Sequence, residues 1–203
     1  LAASTLNGAA ADLLDFYVRG ALKSGELTLA ELHEAALHLG GYGNLPRALV
    51  LDKAISRAEQ ALGLPPAECP PLSSDPAVLA GRIAAGEAEF MNVMTFGNTT
   101  PPFPFLEAIS GHVFGEIWTR PGLDQRSRRW LTLVGVSESG REVPIKSHFH
   151  AAMASGNCSP EEMHEFILHY ASHAGWHKAS SVLVVLFEMV ERIANGQTWD
   201  TTA

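Results

Sequence analysis

Cysteine is scarce in this 203-residue chain. Cys69 and Cys158 lie far apart and form no C-x-x-C spacing, which argues against both a disulfide framework and a redox dithiol. Such sparing use is the habit of cytosolic proteins, so a cytoplasmic location is expected. Positive charge is short as well: 14 Lys and Arg stand against 22 Asp and Glu, a formal net charge of −8. A chain of that sign is poorly suited to nucleic acid or to an anionic membrane surface. Long apolar runs are missing, and the longest, 182–187, falls far short of the roughly 20 residues of a membrane span. No segment alternates like a strand. Leu1 is not an initiator, so residues are expected ahead of it. What is there, 46% hydrophobic and 18% charged residues, is the composition of a folded domain with a proper core.

The pattern is helical throughout. Residues 8–24 carry Leu13, Leu14, Tyr17, Val18 and Leu22 at helical spacing, and Gly25 ends the run. Thr28 with Glu31 forms a capping box for a helix over 29–39, which Gly40, Gly41 and Gly43 should break. A helix over 45–62 follows, with Pro46 in its first turn. Residues 63–76, rich in Pro and Ser, read as a linker. Helices are then expected over 76–96, 105–118, 124–136, 141–155, 159–172 and 176–195, and the prolines of 97–104 exclude a helix there. Ser159 with Glu162 makes a second capping box.

The two boxes belong to an internal repeat. With Gly25 set over Gly156, Glu31 falls on Glu162, His33 on His164, His38 on His169 and Ala48 on Ala179 without a gap. Two such units are expected to pack about a pseudo-twofold, each covering the other's apolar face. The chain therefore divides into a degenerate N-terminal repeat (1–62), a linker (63–76) and a C-terminal repeat (77–203). The histidines common to both copies read as structural. Those found only in the second copy, His148, His150, His173 and His177, fall on Tyr17, Arg19, Tyr42 and Pro46 of the first. His169, His173 and His177 step by four, but Gly175 interrupts them and no carboxylate completes a set, so no metal site is expected.

The string Phe114-Gly115-Glu116-Ile117-Trp118-Thr119-Arg120-Pro121-Gly122-Leu123 is the most specific stretch. Arg126, Arg128, Gly140-Arg141, His148, Ser159-Pro160-Glu161-Glu162, His169 and Ala174-Gly175 follow it. With these residues the chain resembles the carboxymuconolactone decarboxylase superfamily over 105–192, and more faintly over 9–58. The resemblance implies an all-α, alkylhydroperoxidase D-like fold of two fused repeats, no cofactor, and a homotrimer of two-repeat chains. The peroxidase branch of that superfamily carries paired cysteines just before a histidine. Here those positions hold Arg141 and Pro144, neither of which can attack a peroxide, so the dithiol-free decarboxylase branch is the one resembled.

Acid–base candidates follow. His148 is the first choice, since imidazole both gives and takes a proton near neutrality. Arg141, seven residues earlier and two turns away on the same face, is expected to clamp a substrate carboxylate in the same cavity. Glu116 is expected to orient His148 or serve as a second acid. Trp118 and the Phe103/Phe105 loop would wall the pocket, with Arg129, His150, His173 and Tyr42 as further substrate contacts. His150 points about 200° round the helix from His148, so the two cannot face one pocket. The expected chemistry is a lyase acting on a small carboxylated lactone or related organic acid. Alternatives are a recruited isomerase, cyclase or dehydratase using the same pocket, or a non-catalytic helical oligomer that binds a small acid.

Overall fold

The computed structural model describes residues 1–72, 74–97 and 103–200. The helices are α1 (Ala2–Leu6), α2 (Ala11–Ser24), α3 (Leu29–Tyr42), α4 (Leu45–Leu62), α5 (Pro76–Met94) and α6 (Pro104–Ala108), which runs into a π-helical segment, Ile109–Ile117. They continue with α7 (Gln125–Ser139), α8 (Glu142–Ala154), α9 (Pro160–Ala174) and α10 (Trp176–Ala194). Among the described residues there is no strand, and no helix is long and apolar enough to cross a membrane. The fold is all-α, as the periodicity requires. The expectation for 97–104 falls largely on 98–102, outside the described residues.

Both capping boxes form. Thr28 Oγ1 accepts from the Glu31 amide at 3.2 Å while Glu31 Oε2 accepts from the Thr28 amide at 2.7 Å. Ser159 and Glu162 repeat the exchange at 3.2 and 2.9 Å. Gly25 and Gly156 both turn the chain at φ 74°. Setting one over the other aligns α2 with α8, α3 with α9 and α4 with α10, with helix ends agreeing to within a residue.

Each triplet has its own core. Leu14, Val18, Leu32, Leu39, Leu51 and Ile55 close α2–α4. Phe149, Met163, Ile167, Leu186 and Met189 close α8–α10 against Leu133 of α7. A smaller cluster of Val93, Met94, Phe114, Trp118 and Ala151 ties α5 and the π segment to α8. The short α1, which the periodicity did not reveal, sits against α4, α7 and α9 and places Ala3 in the C-terminal core.

Two expectations are corrected. Gly40 and Gly41 do not break α3, which continues to Tyr42 and stops only at Gly43. Gly41 serves close packing instead: a Cβ there would stand 3.1 Å from Ile117 Cδ1. The segment after Ala108 is wound as a π-helix rather than an α-helix, closing with Trp118 N–H to Val113 carbonyl at 3.0 Å, an i→i+5 bond. Its apolar steps of four, Ile109, Val113 and Ile117, fit either winding, so periodicity alone does not separate the two.

Candidate active site

The extra turn of α3 matters because it carries Tyr42 into the interior. His38 and Tyr42 are one turn apart on one face of α3, and their rings stack at 5.1 Å. Gly135 of α7 lets this face come close, since a Cβ there would meet Tyr42 Cβ at 2.7 Å. Trp118, at the end of the π segment, donates its indole N–H to the Tyr42 hydroxyl at 2.7 Å. Its ring stands edge-on to His38 at 5.1 Å. From α8, His148 meets the Tyr42 ring edge-on at 5.5 Å. From α7, Thr132 Oγ1 pairs with His38 Nε2 at 2.7 Å, and the Arg129 guanidinium lies over Trp118 at 5.2 Å. Four elements thus contribute to one enclosed cluster.

Its electrostatics are unusual. Arg129 is fully buried, yet it has no carboxylate partner among the described residues. Its Nη2 donates to the Val93 carbonyl and its Nε to Asn157 Oδ1 at 3.3 Å, while Nη1 has no partner. Desolvation pulls the guanidinium down to about 10. His148, 8% exposed, is pushed down to about 3 by burial and then by the Arg129 charge, so it is a neutral imidazole. His38 is held well below its ordinary value by burial and by Arg128, His148 and Arg129. Burial raises Tyr42 to about 12. Nδ1 of His38 and Nδ1 of His148 are both buried without a hydrogen-bond partner. Orphaned polar atoms are rare in folded interiors, and this cluster holds three: the two Nδ1 atoms and Nη1 of the uncompensated Arg129 guanidinium.

The structure gathers four of the expected residues, His148, Arg129, Trp118 and Tyr42, and disperses the others. Arg141 is exposed at the N-cap of α8 and does not join His148. An N-cap residue has non-helical dihedrals, here φ −99° and ψ 124°, so the seven-residue spacing does not carry its side chain onto the His148 face. Glu116 is buried but committed elsewhere, to Arg82 and to Arg120 Nη1 at 3.1 Å. His150 Nε2 pairs with the Gln197 carbonyl at 2.8 Å on another side of α8. His173 Nδ1 pairs with Ser4 Oγ at 3.0 Å in an open apolar cleft of about 570 Å³ between α1, α7 and α9, which holds none of the cluster. Phe103 and Phe105 are exposed and stack on each other, and the wall beside Trp118 is Phe114 with Val93 and Met94.

His38 and Thr132 are the additions. His38 was expected to be structural because it recurs as His169. His33 does fit that reading, paired with Asp52 at 2.8 Å, and so does His164, paired with the Pro160 carbonyl at 2.8 Å. The signal that singles out His38 is its i,i+4 spacing to Tyr42, already a candidate.

Fold and cluster together define a class: an all-helical protein enclosing neutral imidazoles, a phenol and an unpaired guanidinium, with no thiol pair among them. Residues 104–188 match the carboxymuconolactone decarboxylase family, and over this segment the chain is similar to members of that family. Over 71 residues it is 35% identical to a 4-carboxymuconolactone decarboxylase of Acinetobacter baylyi. That stretch is 35% of this chain and spans about half, 52%, of the relative.

Proposed function

We propose that the chain is a cofactor-independent acid–base lyase that decarboxylates a small carboxylated lactone or related unsaturated acid, as its similarity to a 4-carboxymuconolactone decarboxylase suggests. The observation that carries this is Arg129: a buried guanidinium with one nitrogen unbonded and no carboxylate of its own, acting on the neutral imidazole of His148. A conjugated lactone carbonyl is its own electron sink, so loss of carbon dioxide needs no added cofactor. The C–C bond breaks, its electron pair moves onto the carbonyl oxygen as a dienolate, and a proton returns to carbon.

An ion pair to the departing carboxylate would stabilise the ground state and slow the reaction. Arg129 therefore serves an oxygen that keeps or gains charge: a second carboxylate or the enolate oxygen. His148 supplies the proton. Without ligand it is a neutral imidazole, first because burial disfavours its charged form and second because Arg129 repels a positive charge. A substrate carboxylate seated beside it offsets both effects, and His148 then takes up from solvent the proton it later delivers. The helical surfaces that stay apolar and exposed, such as Phe16 and Leu49 on one triplet and Val184 and Phe187 on the other, suit the expected homotrimer.

The test is turnover of 4-carboxymuconolactone by the full chain, followed as carbon dioxide release. His148→Ala should lower kcat by about 10²–10⁴, the usual worth of a general acid. Arg129→Gln should lower both kcat and affinity. Arg141→Ala should leave turnover within about twofold, as expected for an exposed side chain away from the chemistry. Wild-type-like turnover by His148→Ala, with fold and assembly intact, removes His148 from the chemistry, and no carbon dioxide release by the wild-type chain overturns the lyase reading in favour of a non-catalytic binding protein.

A further inference from the structure

The register that aligns the two helical triplets also places a counterpart of the acid–base cluster on the second one. With Gly25 set over Gly156, Glu34, His38 and Tyr42 of α3 fall on Glu165, His169 and His173 of α9, and Tyr17 of α2 falls on His148 of α8. The ring contacts recur. His169 and His173 lie 4.9 Å apart, as His38 and Tyr42 lie 5.1 Å apart. Tyr17 stands edge-on to His173 at 6.0 Å and 80°, as His148 stands edge-on to Tyr42 at 5.5 Å and 87°. Ala2–Leu6 of α1 falls on 133–137 of α7, so Ser4, which pairs with His173, takes the place of Gly135, which packs on Tyr42.

What covers the two faces differs. Over α3 the chain lays Trp118 against His38 and Tyr42, and Arg120 against Glu34. The corresponding face of α9 opens into the cleft of about 570 Å³, a volume that suits a small organic molecule. The floor is Trp130, Val134, Phe166 and Tyr170, and Glu165, His169 and His173 stand along it. Glu34 is buried against two guanidiniums. Glu165, its mate, is exposed and makes no hydrogen bond or ion pair among the described residues.

We propose that this cleft is a second ligand site and that its ligand is a small apolar cation, an aromatic body with an ammonium or guanidinium head. Trp118 and Arg120 are the pattern for it: an aromatic ring against the ring pair, and a cation on the carboxylate one turn earlier in the helix. The charge of the cleft agrees. Glu161 and Glu162 share its rim with Glu165. Arg126, which lies over Trp130 at 5.4 Å, is held by Glu162 at 2.6 Å and so leaves Glu165 uncompensated. Burial pulls both the Leu1 amine and His173 below their ordinary values, so neither carries a full positive charge at pH 8. The acid–base cluster, with its uncompensated Arg129, repels such a ligand, so the two sites select opposite charge. The proposal does not depend on the lyase reading.

Calorimetric titration of the full chain with tryptamine at pH 8 tests it. Indole-3-propionate keeps the ring and two methylenes but reverses the charge of the head, and 3-ethylindole has no charged head. Tryptamine should bind more tightly than either. Glu165→Gln, a change at an exposed position, should weaken tryptamine about tenfold, the worth of one charge-assisted hydrogen bond, and leave 3-ethylindole binding unchanged. In ¹H–¹⁵N spectra of the histidine-labelled chain, tryptamine should move the ring signals of His169 and His173 and not those of His38 and His148. Equal tryptamine binding by Glu165→Gln, tryptamine no tighter than indole-3-propionate, or shifts confined to His38 and His148 overturns the second site. Carbon dioxide release is read separately and should be the same for Glu165→Gln and wild type, so the failure of either proposal is distinguishable from the failure of the other.

Discussion

A buried imidazole held near 3 makes the protein sensitive to acid in a way that a single residue controls. In the unfolded chain His148 titrates at about 6.5. In the fold, burial and then the Arg129 charge depress it to about 3. Between those values the unfolded state binds a proton that the folded state refuses. The contribution of His148 to stability is therefore complete above pH 6.5 and is lost as pH falls toward 3, by a few kcal/mol in all. His38 shifts in the same direction and adds to the slope. His148→Gln should flatten the loss: the urea midpoint of the variant should fall less between pH 7.5 and pH 4.5 than that of wild type. Parallel curves across that range would count against a neutral, desolvated His148. At this scale the sequence exposes residue types but not their company. His148, Tyr42, Trp118 and Arg129 were legible as candidates. Arg141 misled because the spacing rule holds inside a helix and it stands one residue before α8 begins. His38 was hidden by its repeat mate: sharing a column with His169 says nothing about what covers it, and only His38 meets Thr132 and Trp118.

Elements were read more reliably than residues, because capping boxes, glycine stops and apolar periodicity act locally and survive tertiary packing. The exception is the crossing of α5 and the π segment. Both Gly86 and Gly81 lie inside α5, and composition treats them alike. A Cβ on Gly86 would run into the Ser110 carbonyl, and one on Gly115 into the Arg82 carbonyl, so the two backbones meet where neither carries a side chain. Gly81 faces open space. Gly81→Ala should therefore stabilise by about 0.5–1 kcal/mol through the ordinary helical preference for alanine. Gly86→Ala should destabilise by about 1–3 kcal/mol or more, since a rigid backbone oxygen cannot yield as a side chain can. It should also lower activity, because this crossing sets where Trp118 and the Val93 end of α5 meet. Chemical denaturation of the two variants side by side checks this; equal effects would mean that the crossing is looser than drawn.

The two helical triplets are joined into one molecule by buried charge as well as by the apolar seam. Glu34 of α3, 2% exposed, accepts from Arg120 Nε at 3.0 Å and Nη2 at 2.6 Å, and from Arg128 Nη2 at 3.2 Å. Arg120 reaches on to Glu116 at 3.1 Å and to the carbonyls of Pro70 and Pro71, so it also pins the 63–76 linker. Gly122, at φ 104°, lays its backbone against Glu34, where a Cβ would stand 2.9 Å from Cγ. This explains why Arg120 and Gly122 fall in the most distinctive stretch of the sequence, with Arg128 shortly after it, although none of them hydrogen-bonds to the acid–base cluster: they hold α3 in register with α7, and α3 carries His38 and Tyr42. A pair of charges moved out of water contributes little net stability, but removing one partner strands the other. Glu34→Gln leaves Arg120 and Arg128 buried against a neutral amide, and a loss of about 3–5 kcal/mol is expected. Replacing Glu34, Arg120 and Arg128 together by apolar residues of similar size should recover most of that stability while failing to restore turnover, because the register would no longer be specified. Thermal denaturation of the single and triple variants, read beside carbon dioxide release, tests both parts. A Glu34→Gln protein as stable and as active as wild type would show that the apolar seam alone positions α3.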